Sequence, residues 1–168
     1  LELRILEQDH ALDFRPMARL RPVPARITSF LGRSSELEDV SDLVRSHRLV
    51  TITGPGGIGK SSLGVEVART LSHEYAVAYV PIEASREAAP WQLVAESLGL
   101  QTDENLHERV IELIGDEAVL LLLDGCEHDL DAVSDLAMDI LTACPSARIL
   151  IASREPLTGP GERTFSLG

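Results

Sequence analysis

The sequence predicts an α/β fold, a three-layer sandwich in which a mostly parallel sheet carries helices on both faces. Three observations lead there. Strand patterns alternate with helix patterns along most of the chain. The run Val119-Leu120-Leu121-Leu122-Leu123 has no polar alternation, as expected of a strand buried on both faces of a parallel sheet. A glycine-rich loop, Gly54-Pro55-Gly56-Gly57-Ile58-Gly59-Lys60-Ser61, joins a strand pattern to a helix pattern.

Taken in order, Leu1 to Asp13 reads as the last helix of an upstream element, with Leu3 and Leu6 on one face. From Phe14 to Arg26 the prolines Pro16, Pro22 and Pro24 break any helix, and Arg15, Arg19, Arg21 and Arg26 have no acid among them. This stretch, residues 14–26, is expected to be a linker; a DNA-contacting arm is the alternative. Ser35 to Ser46 then reads as a helix and Arg48 to Thr53 as the first strand. A helix from Lys60 to about Leu71 and a strand from Tyr75 to Ile82 follow. Pro90 to Leu98 and Asn105 to Ile114 are expected helices. After the apolar strand come a helix over Leu130 to Cys144, a strand over Arg148 to Ala152, and a fifth strand over Thr164 to Leu167.

Composition narrows the function classes. At 168 residues there is room for one full domain, and with 44% hydrophobic but only 4% aromatic residues its core must be aliphatic. A formal charge of −12 argues against direct nucleic-acid binding by this segment. Cys126 and Cys144 lack C-x-x-C spacing, which fits a reducing cytoplasm. No apolar run approaches transmembrane length, so no membrane role is expected. The chain begins at Leu1 and stops just after a strand pattern, and is expected to be a piece of something longer.

The loop carries the chemistry. G-x-x-x-x-G-K-[ST] turns several backbone N–H groups into one concavity, at the positive end of the helix that follows. Gly54, Pro55, Gly56, Gly57, Ile58 and Gly59 supply that backbone, Lys60 reaches the β- and γ-phosphates, and Ser61 takes an Mg²⁺ position, with Ser62 next in the helix. The Mg²⁺ partner is usually an Asp ending a neighbouring buried strand. Asp124 fits, with a turn or N-cap role as its alternative. Arg154 follows the fourth strand, whose C-terminal end should face the ligand crevice, so it is expected near the γ-phosphate. The alternative is a surface ion pair with Glu155. Cys126, Glu127 and His128 match no common zinc spacing.

Together these segments resemble the nucleotide-binding domain of STAND ATPases (NB-ARC-like), in the version found in bacterial SARP and AfsR-like and large LuxR-type transcriptional regulators. The resemblance rests on Thr28-Ser29-Phe30-Leu31-Gly32-Arg33, on Arg48 to Thr53 with the phosphate loop, on Leu121 to His128, and on Ser153-Arg154-Glu155-Pro156-Leu157 with Gly161-Glu162-Arg163. It covers residues 27–168 and implies a P-loop NTPase sandwich, truncated before its winged-helix part. Residues 3–12 resemble the end of the helical bacterial transcriptional activation domain that precedes this ATPase in SARP proteins.

The resemblance implies a switch: ADP holds a closed state, and exchange to ATP permits opening or homo-oligomerisation, with other domains of the same regulator as partners. It also implies that Phe30, Leu31, Gly32 and Arg33, with Glu36, help hold adenine; Ser34 departs from the motif, and a helix start capped by Ser34 or Ser35 fits the same residues. Many relatives carry a second acid directly after the Mg²⁺ aspartate, to orient the attacking water. Here that place is Gly125, so hydrolysis is expected to be slow, and an aspartate placed there to speed it. Glu127 is the substitute in reach, although a charge–dipole role at a helix start suits it equally. The expected function is an ATP/ADP-binding switch with slow Mg²⁺-dependent hydrolysis; the alternative is a P-loop kinase or other P-loop NTPase acting on a small molecule.

Overall fold

The alternation resolves into a five-stranded, wholly parallel sheet in a computed structural model that describes residues 20–25, 32–102 and 104–168. The strands are β1 (Leu49–Thr53), β2 (Ala76–Pro81), β3 (Val119–Asp124), β4 (Arg148–Ala152) and β5 (Glu162–Ser166), in the order β2-β3-β4-β1-β5. The helices are α1 (Ser34–Ser46), α2 (Lys60–Thr70), α3 (Pro90–Ser97), α4 (Leu106–Ile114) and α5 (Leu130–Ala143).

Alternation along each strand divides the interior into two cores. Val50, Ile52, Leu120, Leu122 and Leu150 pack with Val40 and Val44 of α1 and Leu63, Val67 and Ala68 of α2. On the other face Leu49, Ala78, Val80, Leu121, Leu123, Ile149 and Ile151 meet α3, α4 and α5 through Val94, Val110, Ile114, Val133, Leu136 and Ile140. The apolar run of β3, Val119 to Leu123, thus feeds both cores, each fully buried leucine contributing about 1.5–3 kcal/mol of transfer free energy. Arginines close the helix ends. Arg48 donates to the carbonyls of Leu141 and Cys144 at 2.7 and 2.6 Å, and Arg148 donates to Val44 O at 2.8 Å, satisfying groups that the last turns leave open.

Element boundaries agree with the sequence reading to within two residues. The largest shift is at the fifth strand, which starts at Glu162 rather than Thr164. Its outer-edge position leaves its side chains half-buried or exposed, so its apolar signal is weak. The expected serine cap is absent. Helix α1 begins at Ser34 itself with Arg33 as its N-cap residue and no side-chain cap bond, while the Ser35 hydroxyl donates to Glu36 at 2.9 Å. Of the Pro/Arg stretch, residues 20–25 are described. Arg21 N–H donates to Ser97 O at 2.7 Å, Arg21 O accepts from Tyr79 N–H at 3.3 Å, and Leu20 and Val23 pack against the two cores. These residues therefore lie along the outer edge of β2. The expected upstream helix, residues 1–13, lies outside the described residues.

Candidate functional site

All five strands run the same way, so their C-terminal ends share one side of the sheet, where an open α/β sheet forms its crevice. A cavity of about 260 Å³ lies there, lined among others by Gly56, Lys60, Ser61, Glu83, Asp124, Glu127 and Arg154. Residues from four separate segments meet in it.

The first wall is the loop between β1 and α2. Gly54, Gly57 and Gly59 hold φ of 152°, 76° and 101°, so the backbone uses conformations that side chains would oppose. Gly59 is the N-cap residue of α2, placing the helix start at the cavity. Lys60 is only 8% exposed, and its ammonium donates to Pro55 O at 2.8 Å. The lysine is thereby folded back over the loop. Ile58 packs against the α2-side core and ties the loop to the domain.

The opposite wall begins at Asp124. The residue is 5% exposed, and its carboxylate accepts from the Ser61 hydroxyl at 2.7 Å and from the Tyr79 hydroxyl at 3.0 Å. Strand β4 lies between β1 and β3, yet Ser61 and Asp124 still meet, because α2 starts above the sheet and leans across it. Burial, and then the charge of Asp124, push the Tyr79 phenol well above its ordinary range, so it stays a proton donor to the carboxylate. The buried Cys126 thiol is pushed upward as well, first by burial and then by Glu127, Asp124 and Glu83, and stays un-ionised.

Arg154 follows β4, and its guanidinium lies against the loop, with Nη2 3.1 Å from where a side chain on Gly56 would begin. The expected alternative, an ion pair with Glu155, does not form among the described residues. The Arg154 backbone N–H donates to Glu127 Oε1 at 3.1 Å, so Glu127 ties the turn after β3 to the end of β4. Glu162 anchors the segment that follows. Its carboxylate accepts from the Thr51 hydroxyl at 2.6 Å and from the N–H groups of Leu157 and Thr158 at 2.9 and 2.7 Å. That gives a structural role to part of the Gly161-Glu162-Arg163 segment.

Gly125 corrects one expectation. It has φ of 75°, and a β-carbon there would stand 2.6–2.7 Å from Cγ, Cβ and Cδ of Glu83. An aspartate at this place would collide as well as adopt a disfavoured backbone, so a carboxylate cannot simply be restored there. Arg33 lies beside the loop: Nη1 is buried without a hydrogen-bond partner, 4.0 Å from the β-carbon position of Gly59. Gly32 is exposed with φ of 83°. Phe30 and Leu31, expected at the adenine, lie outside the described residues.

Tyr79 and Glu83 were not singled out from the sequence. Both belong to β2 or the turn Ile82–Ala84 after it. The rule that strand ends face the crevice, which pointed to Arg154, points equally to Glu83. Tyr79 gives no such signal, because its contact with Asp124 depends on the pairing of β2 with β3.

Cavity chemistry suits a polyanion accompanied by a divalent cation. Backbone amides, Lys60 and Arg154 share the cavity with Glu83, Asp124 and Glu127, and a triphosphate alone would meet three carboxylates. Ser61 and Asp124 offer hard oxygen donors already in contact. Among the described residues no group of three or more His, Cys, Asp or Glu side chains could hold a metal.

No protein-family model matches the chain. A Mycobacterium tuberculosis protein of uncharacterised function is 36% identical over 145 residues, covering 83% of this chain and 37% of its own length. A second M. tuberculosis protein, named as an HTH-type transcriptional regulator, is 36% identical over 126 residues, covering 73% of this chain and 14% of its own. An Arabidopsis thaliana protein named as a disease resistance protein is 28% identical over 122 residues, or 66% of this chain and 13% of its own. The chain thus spans well under half the length of these relatives. Among solved structures, a Pyrococcus horikoshii signal transduction ATPase with numerous domains (STAND), which carries a tetratricopeptide repeat sensor, superposes with a TM-score of 0.57 at 19% identity, over 86% of this chain and 24% of that one.

Proposed function

We propose that the chain, which has the fold of an α/β P-loop NTPase, is an ATP/ADP-binding switch domain of a bacterial transcriptional regulator, with slow Mg²⁺-dependent ATP hydrolysis. One observation carries the reading: Lys60, Ser61, Asp124 and Arg154, from three separate segments, line one cavity at the mouth of the glycine-rich loop. The regulator context is supported by the 36% identity to a protein named as an HTH-type transcriptional regulator. We assign residues 27–168 to the nucleotide-binding domain, 14–26 to a connecting segment and 1–13 to the end of a helical activation domain. The partners in this reading are the regulator's other domains and a second copy of the chain in the ATP state.

Each group then has a task. The amides of Gly54 to Ser61 bind the phosphates, and Lys60 exchanges Pro55 O for the β- and γ-oxygens. Ser61 and Asp124 hold Mg²⁺, which offsets the phosphate charge. Tyr79 fixes the Asp124 carboxylate in orientation. Arg154 reads the γ-phosphate and with it the difference between ATP and ADP. Arg33, Gly32, Leu31 and Phe30 serve the nucleoside end.

Turnover should fall well below about one per second, near the low end of ordinary enzyme rates, because an arginine from a partner subunit can contribute on the order of 10³–10⁵ in rate. The test is isothermal titration of the chain with ATP, ADP and a short DNA duplex, each with Mg²⁺. Binding of both nucleotides and not of the duplex is the expected result. Absence of nucleotide binding by a folded chain would sink the reading.

A further inference from the structure

Gly125 directly follows the Asp124 that ends β3, and the space a side chain there would take is filled from a different strand. Register pairs Pro81 at the end of β2 with Asp124 at the end of β3. The turn Ile82–Ala84 then brings Glu83 level with the turn that starts at Gly125. There the Glu83 side chain lies 2.6–2.7 Å from the point where a β-carbon on residue 125 would stand, so a side chain at 125 and Glu83 exclude one another. Glycine at 125 is what lets Glu83 in.

Three further observations fix what Glu83 is free to do. It lines the same cavity as Lys60, Ser61, Asp124 and Arg154. It is exposed there, hence open to water. Among the described residues no hydrogen bond or ion pair engages its carboxylate. Glu127 differs on the last point, because its Oε1 accepts from Arg154 N–H at 3.1 Å. Of the two, Glu83 is the carboxylate with neither oxygen held by the protein among the described residues, in the cavity that also holds Lys60 and the Ser61–Asp124 pair.

We propose that Glu83 is the general base of this site, orienting the water that attacks the γ-phosphorus. The inference rests on the nucleotide-switch reading above. In the step, the water oxygen bonds to the γ-phosphorus and the bond from that phosphorus to the β,γ-bridging oxygen breaks. Its electron pair leaves with ADP, and the water proton passes to the Glu83 carboxylate and on to solvent, releasing inorganic phosphate. Glu127 is a positioning residue that holds the Arg154 backbone. A base supplied by the turn after β2 also makes hydrolysis sensitive to anything that displaces that turn, a lever that a base on β3 would not offer.

The experiment compares the wild-type chain with Glu83→Gln, an isosteric change at an exposed position. Single-turnover hydrolysis of ATP with Mg²⁺ should fall about 100-fold or more, within the range for losing a general base. Affinities for ATP and ADP should stay within about threefold, and the Mg²⁺ concentration for half-maximal ATP binding should not move. Without turnover, titration of ADP with aluminium fluoride gives a second readout: the fluoride should tighten ADP binding to wild type and do so at least about tenfold less in Glu83→Gln. Gly125→Ala, whose methyl displaces the Glu83 side chain, should lower hydrolysis likewise while ADP still binds.

Unchanged hydrolysis in Glu83→Gln overturns the proposal, as does a shifted Mg²⁺ requirement, which would make Glu83 a metal-shell group. Loss of hydrolysis in Glu127→Gln with Glu83→Gln intact would make Glu127 the base. A wild-type chain that binds ATP but neither hydrolyses it nor responds to fluoride also overturns it. If wild type binds no nucleotide, the failure lies in the switch reading itself.

Discussion

The two walls of the cavity are built in opposite ways. The loop from Gly54 to Ser61 is one contiguous segment whose conformation follows from its own glycines, and its lysine bonds within the segment, to Pro55 O. The facing wall is an assembly: Tyr79 and Glu83 come from β2 and its turn, Asp124 from β3, and Arg154 from the end of β4. A local wall is specified by spacing, whereas an assembled wall is specified by strand register and by the packing that fixes it. The loop should therefore determine whether phosphate binds at all. The facing wall should determine which phosphate state is recognised and what happens to it.

Breaking the local wall should have the largest effect. Lys60→Ala removes charge-assisted contacts to two phosphates, each contributing about 1.5–3 kcal/mol, so ATP affinity should fall about 100-fold or more. Circular dichroism should be unchanged, because the lost Pro55 contact belongs to the loop alone. Normal affinity in the folded variant would show that the loop is not the phosphate site.

Asp124→Asn comes next. The amide keeps the shape without the charge, so Mg²⁺-dependent ATP binding should weaken about tenfold or more while Mg²⁺-free binding hardly changes. Equal losses with and without Mg²⁺ would make Asp124 a structural partner of Ser61 and Tyr79. Arg154→Ala should cost about tenfold in ATP affinity and almost nothing for ADP, since an arginine aimed at the γ-phosphate loses its contact when that group is gone. An equal loss for both nucleotides would place Arg154 on the loop for packing against Gly56 only.

Tyr79→Phe should give the smallest change. One hydroxyl donor to Asp124 is lost, about 0.5–1.5 kcal/mol of stability on chemical denaturation, with a change of about threefold in Mg²⁺-dependent affinity. A larger loss of affinity than Asp124→Asn would show that the tyrosine meets the ligand directly.

The same contrast explains what could be read before the structure. The loop, the buried β3 and its terminal aspartate were legible because each is written in consecutive residues. Arg154 was legible from a rule about strand ends. Tyr79 and Glu83 were not, because their meaning depends on the pairing of Tyr79 with Leu122 and of Pro81 with Asp124. Gly125 read as an absence, a missing carboxylate; in three dimensions it is the opening through which Glu83 enters. Glu127 stands out in the sequence by its nearness to Asp124, and the structure commits one of its oxygens to the Arg154 backbone. Ser34 and Ser35 looked like caps because serine is a common N-cap residue, yet the helix begins one residue earlier than expected and incorporates both.

The two walls would be seen acting together in a crystal structure of the chain with Mg²⁺ and a non-hydrolysable ATP analogue. The phosphates should lie on the amides of Gly54 to Ser61, with Lys60 released from Pro55 O, the metal held by Ser61 and Asp124, and the terminal phosphate facing Arg154 and Glu83. An analogue bound elsewhere, or phosphates seated with Lys60 still on Pro55 O and Arg154 turned away, would contradict this arrangement.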